Sequence, residues 1–150
     1  MKKVIYLAHS VHEREMGKEV QKRLEHLEYE IYNPFYPKDP RAYRGDIKAL
    51  DEGLIVPWDI PDKDSAKWII KVDLRAVGNS DVIICIFPNR RTVGIPCEMT
   101  VAWMLHIPIL CVVPEDMCGH PWIVGMSNKV FTDIEDLYTH MAVTIDFAKS

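Results

Sequence analysis

The sequence lacks long hydrophobic runs, and no apolar stretch approaches the roughly 20 residues that a membrane-spanning helix needs. Its first apolar stretch, Val4–Ala8, gives way to polar residues too early for the core of a signal peptide. Positive charge is not in excess either, because 18 Lys and Arg residues stand against 22 Asp and Glu residues, for a net charge of -4. This balance argues against bulk binding to nucleic acid or to acidic membranes, and still permits one small anion in a local basic pocket.

The sequence also lacks any pair of cysteines with CxxC spacing. The chain contains four of them: Cys85, Cys97, Cys111 and Cys118. Two lie inside apolar runs, so buried, reduced thiols are favoured over a zinc site or a disulfide framework. Reduced thiols in turn predict a cytoplasmic protein.

Metal-ligand spacing is absent as well. His9, His12 and His120 form no HExxH-type motif with a carboxylate partner, so neither a metal site nor a cofactor is expected.

What the sequence does contain is the composition of one globular domain. With 150 residues, of which 48% are hydrophobic and 27% charged, a single domain over residues 1–150 is expected. Short apolar segments predict five strands: Val4–Ala8, Glu30–Asn33, Asp81–Phe87, Pro108–Val113 and Lys129–Phe131. Helical periodicity predicts helices at Glu13–Glu28, from Asp62 or Asp64 to Gly78, at Pro96–His106 and after Asp133.

This alternation of strand and helix predicts a doubly wound α/β fold of Rossmann-like or flavodoxin-like type. We expect about five mostly parallel strands with helices on both faces. Ligands of such sheets bind beyond the carboxyl ends of the strands, which directs attention to the loops at 9–14, after Asn33, at 88–98 and at 114–122. The proline-rich segment 34–61 reads as one long loop, and a loop of that length is typical of a lid or a binding loop.

The strongest local signal is Thr92-Val-Gly-Ile-Pro-Cys-Glu98. Pro96 suits the first position of a helix, which places Glu98 within the first turn, where free N–H groups favour an ionised carboxylate. A charged carboxylate beside a strand-end cleft suits a covalent nucleophile. The alternative is that Glu98 only completes a helix cap.

Several short motifs follow one another in a distinctive order. They are Tyr6 in the first strand, Asn33-Pro34 after the second, Asp73-Leu74 in a helix, Ser80-Asp81-Val-Ile-Ile, Thr92-x-Gly94-x-x-x-Glu98 and Ala102. Over about residues 4–113 they resemble the nucleoside 2-deoxyribosyltransferase family, including its branch of 2′-deoxynucleoside 5′-monophosphate N-hydrolases. The resemblance implies a doubly wound enzyme that cleaves the bond between base and deoxyribose.

The resemblance also implies roles for three residues. Glu98 matches the nucleophile that attacks the anomeric carbon and holds the sugar covalently, Asp73 matches a second carboxylate that assists proton transfer to the base, and Tyr6 matches a tyrosine bound to the nucleophile. An oxocarbenium-like sugar is a species that a nearby carboxylate can trap. Without the resemblance, the sequence predicts that Asp73 is a solvated helix residue and that Tyr6 is an aromatic residue of the core.

Thr92 is the informative departure, because family members that use free nucleosides carry an acidic residue there and the monophosphate branch carries a hydroxyl. With Arg90 and Arg91 it predicts a grip on a 5′-phosphate, although both arginines also fit ordinary surface charge. The remaining expected substrate contacts come from the same strand-end loops: His9, Ser10, Asn33, Gly94, His120 and Trp122. Trp122 and Trp58 are candidates to stack on a base or, alternatively, to pin their own loops.

Other classes remain open on the sequence alone. A non-catalytic nucleotide sensor or FMN carrier shares the fold, but the loop after the first strand lacks a run of hydroxyl residues, and a phosphoacceptor receiver lacks its aspartate cluster here. NAD glycohydrolysis needs a larger cleft. The favoured partner is a small nucleoside or nucleotide, and the resemblance implies a homodimer or higher homo-oligomer with sites near the subunit contacts.

Overall fold

The computed structural model describes residues 1–56 and 62–149, with side chains as far as Thr144. Five strands form one sheet: β1 Val4–Ala8, β2 Glu30–Tyr32, β3 Val82–Ile86, β4 Ile109–Val112 and β5 Lys129–Phe131. Their order is β2-β1-β3-β4-β5, and every neighbouring pair is parallel. The expected doubly wound α/β architecture is thereby confirmed.

The described residues form six α-helices, which connect and follow these strands: α1 Arg14–His26, α2 Gly45–Asp51, α3 Lys63–Gly78, α4 Gly94–Met104, α5 Pro121–Met126 and α6 Ile134–Lys149. Asp62 caps α3 by accepting a hydrogen bond from the Ser65 N–H at 2.9 Å, which is the capping that an acidic residue before an apolar-periodic segment predicts. Within the described residues, no helix combines the length and apolarity needed to cross a membrane.

Apolar side chains project from both faces of the sheet, because the side chains of neighbouring residues in a strand point in opposite directions. On one face, Ile5, Leu7 and Ile84 pack with the apolar sides of α1 and α6. On the other, Ile83 and Cys85 pack with buried residues of α3, α4 and α5. Burial on both faces explains why these strands are continuous apolar runs in the sequence.

Three details differ from the sequence-based expectations. The segment 34–61 is not one loop, because it contains a 3-10 turn at Pro40–Ala42 and helix α2, whose Ile47 and Leu50 are buried; residues 57–61 lie outside the described part of the chain. Helix α4 begins at Gly94, two residues before Pro96, and the expected loop around Gly125 contains α5.

The cysteines differ in part as well. Cys85 and Cys111 are buried as expected and face each other in register on β3 and β4, whereas Cys97 and Cys118 are exposed. Cys97 is exposed because it lies on the side of α4 opposite the buried residues Ile95 and Met99.

The strand order also fixes where the loops separate. From β1 the chain runs outward to β2 on one side, and it returns to β3 on the other side of β1. The loops that leave the carboxyl ends of β1 and β3 therefore diverge and leave a crevice between them.

Candidate active site

A cleft of about 350 Å³ lies at this crevice. It is lined by residues from the ends of β1 and β2, from α2 and α3, and from the β3–α4 loop. Its walls contain, among others, His9, Ser10, Phe35, Arg44, Asp46, Ile47, Leu50, Ile55, Asp73, Arg91, Thr92, Gly94 and Glu98. Seven of these were candidate residues in the sequence: His9, Ser10, Asp73, Arg91, Thr92, Gly94 and Glu98.

Glu98 is joined to the floor of the cleft by Tyr6. Helix α4 packs across β1 and β3, so Glu98 on α4 faces the side chain of Tyr6 on β1. The Tyr6 hydroxyl donates a hydrogen bond to Glu98 Oε2. Tyr6 is fully buried and stacks on Tyr32, with ring centroids 5.6 Å apart, so its hydroxyl is held in a fixed direction.

The protonation of Glu98 differs from the expectation drawn from helix position. Because α4 begins at Gly94, Glu98 lies beyond the first turn, and burial raises the pKa of its carboxyl to about 8. The hydrogen bond from Tyr6 lowers that pKa, and the charge of Asp73 raises it. Desolvation is the largest of the influences on that pKa.

Asp73 supplies a second carboxyl group from α3, which packs against α4. Burial raises its pKa to about 7, opposed by the positive charge of Arg44. Two carboxyl groups with raised pKa values in one cleft can share a single negative charge near neutral pH. Such a pair can supply both a nucleophile and an acid.

Arg44 and Asp46 are cleft residues that the sequence analysis missed. The guanidinium binds the Asp46 carboxylate through two hydrogen bonds, from Nε at 2.9 Å and from Nη2 at 2.8 Å, and only 9% of the Arg44 side chain is exposed. The available signal was an Arg-Gly-Asp triplet inside a segment already suspected to be functional. Nothing in the triplet indicates that it turns toward Asp73.

His9 lies at the end of β1 and is held as a neutral imidazole. Its Nδ1–H donates to the Leu7 carbonyl at 3.0 Å, and burial lowers its pKa to about 4. Gly17 of α1 makes room for the other edge of the ring, since a Cβ at Gly17 would stand 2.1 Å from His9 Nε2. Ser10 caps the following 3-10 turn by accepting from the His12 N–H at 3.3 Å.

The β3–α4 loop separates the two arginines. Arg91 and Thr92 line the cleft beside the first residues of α4. The N-cap residue of α4 is Val93, whose side chain makes no capping hydrogen bond. Arg90 is instead paired with Glu13, with Nη2 and Oε1 3.1 Å apart, and is not among the residues that line the cleft.

Three further candidates are not among the lining residues. Asn33 is buried, with its amide donating to Gln21 Oε1 and accepting from the Phe35 N–H, both at 3.1 Å, so it fixes the turn after β2. His120 caps α5 through Nδ1, and Trp122 is 67% exposed on that helix. Trp58 lies outside the described residues.

The described residues contain no group of three or more His, Cys, Asp or Glu side chains suited to a metal ion. The cleft presents carboxyl, hydroxyl, imidazole and guanidinium groups, with the phenol of Tyr6 bound to Glu98.

The fold and the cleft define a doubly wound α/β protein of the class that binds a small ligand at the topological switch point of its sheet. Within that class, the chain belongs to the nucleoside 2-deoxyribosyltransferase family, whose family model matches residues 5–137. Membership confirms the resemblance seen in the sequence. It makes the protein an enzyme of the glycosyltransferase or N-glycosidase class that acts on small nucleoside substrates.

Solved structures share the fold at low sequence identity. A 2-deoxyribosyltransferase from Bacillus psychrosaccharolyticus has a TM-score of 0.68 at 16% identity, over 95% of each chain. A conserved protein from Enterococcus faecalis has a TM-score of 0.66 at 15% identity, over 94% of this chain and 98% of its own. A CMP N-glycosidase from Clostridium botulinum has a TM-score of 0.58 at 14% identity, over 93% of this chain and 98% of its own. No curated protein sequence matches the chain.

Proposed function

We propose that the protein cleaves the N-glycosidic bond of a 2′-deoxynucleoside, preferentially as its 5′-monophosphate, through a covalent glycosyl-Glu98 intermediate. The observation that carries this proposal is the placement of two carboxyl groups with raised pKa values, Glu98 and Asp73, in one cleft, with Tyr6 bound to the former. Family membership supports the reaction class.

The first step needs Glu98 ionised and Asp73 protonated. A Glu98 oxygen forms a bond to the anomeric carbon while the bond from that carbon to the base breaks, and the electron pair passes to the base nitrogen. The Asp73 proton then neutralises the departing base. The Tyr6 hydroxyl favours the ionised form of Glu98, because a hydrogen bond donated to a carboxylate stabilises its charge.

In the second step, attack on the glycosyl ester by water gives free sugar phosphate, whereas attack by a second base gives a new nucleotide. Asp73, now ionised, takes the proton from the attacking group, so the site returns to its starting protonation.

The preference for a monophosphate is supported by the β3–α4 side of the cleft. Arg91 brings a guanidinium, Thr92 a hydroxyl, and the uncapped start of α4 free backbone N–H groups. Thr92 offers a donor where an aspartate would repel the phosphate. Arg90 is committed to Glu13, so Arg91 is the arginine we assign to the phosphate.

Cleft size argues against the dinucleotide alternative. A volume of about 350 Å³ is near the lower end of ligand pockets and suits one nucleotide. NAD glycohydrolysis would need room for a second nucleotide half.

A homodimer or higher homo-oligomer is part of the same proposal. Large apolar side chains remain exposed at the end of α4 and on α5, including Trp103, Met104 and Trp122, and exposed patches of this kind mark protein contacts. Sedimentation equilibrium tests this part: an assembly larger than a monomer is expected, and a monomer at all concentrations contradicts it.

The activity itself is tested by incubating the protein with matched nucleosides and 5′-monophosphates, with and without a second free base, and separating the products by chromatography. A charged hydrogen bond to phosphate is worth about 1.5–3 kcal/mol, so the monophosphate should exceed its nucleoside in kcat/KM by roughly ten- to a hundredfold. Thr92→Asp should erase that preference, and Arg91→Ala should weaken it. Equal use of both substrates, unaffected by Thr92→Asp, contradicts the phosphate assignment.

A further inference from the structure

The wall of the cleft nearest β2 is formed mostly by apolar side chains. It is apolar except for one ion pair, and its side chains come from the turn after β2, from α2 and from the residues that follow it: Phe35, Ile47, Leu50 and Ile55, with Arg44 and Asp46 among them. A mostly apolar wall with one fixed polar group is typical of a site for a heteroaromatic ring.

The position of this wall sets the direction of a bound nucleotide. The strand order places β2 and β3 on opposite sides of β1, so the wall lies across the cleft from Arg91 and Thr92. If the phosphate lies at Arg91 and Thr92, as proposed above, and the sugar at Glu98, the base extends toward Arg44.

Arg44 has hydrogen-bond donors left for a ligand. A guanidinium has five N–H groups. Within the described part of the chain, two of the Arg44 N–H groups donate to the Asp46 carboxylate, and a third donates to the Pro34 carbonyl at 3.5 Å. Two donors thus remain on a side chain that is nine-tenths buried and lines the cleft.

The guanidinium lines the same cleft as the reacting groups Asp73 and Glu98, and its positive charge lowers the pKa of both carboxyls. A group near both carboxyls is near the glycosidic nitrogen, which must lie between them for the reaction proposed above. The base atom next to that nitrogen is O2 in a pyrimidine and N3 in a purine, and both are acceptors.

We propose that Arg44, held by Asp46, donates a hydrogen bond to the acceptor atom adjacent to the glycosidic nitrogen of the base. As the bond from the base to the sugar breaks, its electron pair moves onto the base and spreads to this acceptor, where the fixed positive charge stabilises it. The ion pair keeps the fork of Arg44 oriented before the substrate arrives, so no reorganisation is needed. This inference rests on the proposed function for the orientation of the substrate.

The test is a cycle of two proteins and two substrates. The substrates are the deoxynucleotide that the wild type cleaves best and an analogue in which the acceptor is removed, as in a 3-deazapurine, or weakened, as in a 2-thiopyrimidine. With wild type, losing the acceptor should lower kcat/KM by roughly ten- to a hundredfold. With Arg44→Gln, the natural substrate should fall by a similar factor, and the analogue should fall little further, because the same hydrogen bond is removed twice.

Leaving-group differences between the two substrates affect both proteins equally and cancel in the cycle. If the two losses in kcat/KM multiply, so that Arg44→Gln lowers the analogue as much as the natural substrate, the proposal is overturned. Arg44 then acts through the carboxyl groups alone. Arg41→Gln is the matched control, since Arg41 pairs with Asp39 in the same segment but is exposed. It should discriminate between the substrates as wild type does. If Arg44→Gln does not fold, the double variant Arg44→Gln/Asp46→Asn replaces the ion pair by neutral side chains and takes its place.

A binding measurement separates this inference from the proposed reaction. Isothermal titration of the free base should show at least about tenfold tighter binding to wild type than to Arg44→Gln, and the analogue base should show no such difference. This holds even if the wild type cleaves no nucleotide, which would refute the proposed function alone. A natural base that binds both proteins equally, or binds neither, overturns the base contact.

Discussion

At the scale of single residues, burial decides the chemistry of the two carboxyl groups. Glu98 and Asp73 have pKa values raised to about 8 and about 7, because the cleft takes both out of water. Tyr6 and Arg44 offset part of that cost for Glu98. The outcome is a pair of carboxyl groups that shares about one proton and one charge near neutral pH. The first reaction step uses the form with the charge on Glu98, which requires the shared proton to move from Glu98 to Asp73, and the hydrogen bond from Tyr6 favours that form.

Replacing Asp73 by Asn tests its assignment as the acid. The amide keeps the size of the side chain but carries no transferable proton, so kcat/KM should fall by roughly a hundredfold or more. Substrates with activated leaving bases should lose less, because they leave without protonation. Equal losses for good and poor leaving bases would assign Asp73 a positioning role only.

What the sequence revealed at this scale came from the resemblance. Tyr6, Asp73 and Glu98 have no local pattern that distinguishes them from a core aromatic, a solvated acid and a helix cap. Their order along the chain supplied the assignment. The direction of the Glu98 pKa shift was not predictable, because it depends on which residues cover the carboxyl group in three dimensions.

At the scale of helices and strands, the fit of α1 against β1 determines where His9 lies. Gly17 is buried in α1, and the His9 ring occupies the space that a side chain there would fill. The other side of the ring meets Phe35 edge-on, with centroids 4.9 Å apart. His9 is therefore held between α1 and the turn after β2.

Gly17→Ala is expected to destabilise the protein, against the ordinary preference of helices for alanine. Its Cβ would stand 2.1 Å from His9 Nε2, so the ring, which lines the cleft, must shift. Overpacking should cost about 1–3 kcal/mol in the free energy of unfolding measured with urea, and kcat/KM should fall with it. Gly125→Ala in α5 is the matched control, since no described atom outside its chain neighbours and its own helix backbone lies within 4 Å of its Cβ, and it should be neutral or stabilising. A Gly17→Ala protein as stable and active as wild type would show that the ring moves freely.

The strands were predictable from sequence, and helix α2 was not. β1 and β5 match their expected bounds, because apolar runs between breakers define short buried strands. Helix α2 has only seven residues in a proline-rich segment, so local propensity favoured a loop. Ile47 and Leu50 form a helix there because it buries them against the cleft, which is a tertiary effect.

At the scale of the whole molecule, the buried carboxyl groups of the cleft lower the free energy of unfolding as pH rises. Glu98 has a folded-state pKa of about 8 against an ordinary value of 4.5, so the folded protein holds a proton that the unfolded chain releases between these values. Stability is therefore expected to fall as pH rises from about 4.5 to about 8. Asp73 contributes in the same direction, from 3.8 to about 7.

Glu98→Gln should remove its share of this pH dependence. The amide is neutral and still accepts the hydrogen bond from Tyr6, so the variant should exceed wild type in stability at pH 8 by a few kcal/mol and approach it at pH 4.5. Urea unfolding at a series of pH values measures this. Glu19→Gln on the exposed side of α1 controls for the loss of one charge. A wild type whose stability over this range matches that of Glu98→Gln would contradict the buried, raised-pKa carboxyl.

The central claim, a covalent bond between Glu98 and the sugar, is tested most directly by trapping it. A 2-fluoro deoxynucleoside 5′-monophosphate slows the second step, because fluorine destabilises the oxocarbenium-like state, and mass spectrometry of the digested protein then locates the sugar. The account predicts one added fluorosugar phosphate on the peptide that contains Glu98, and none in Glu98→Gln. An adduct on another residue, or turnover of the fluorinated substrate with no adduct and an equally active Glu98→Gln, would contradict it.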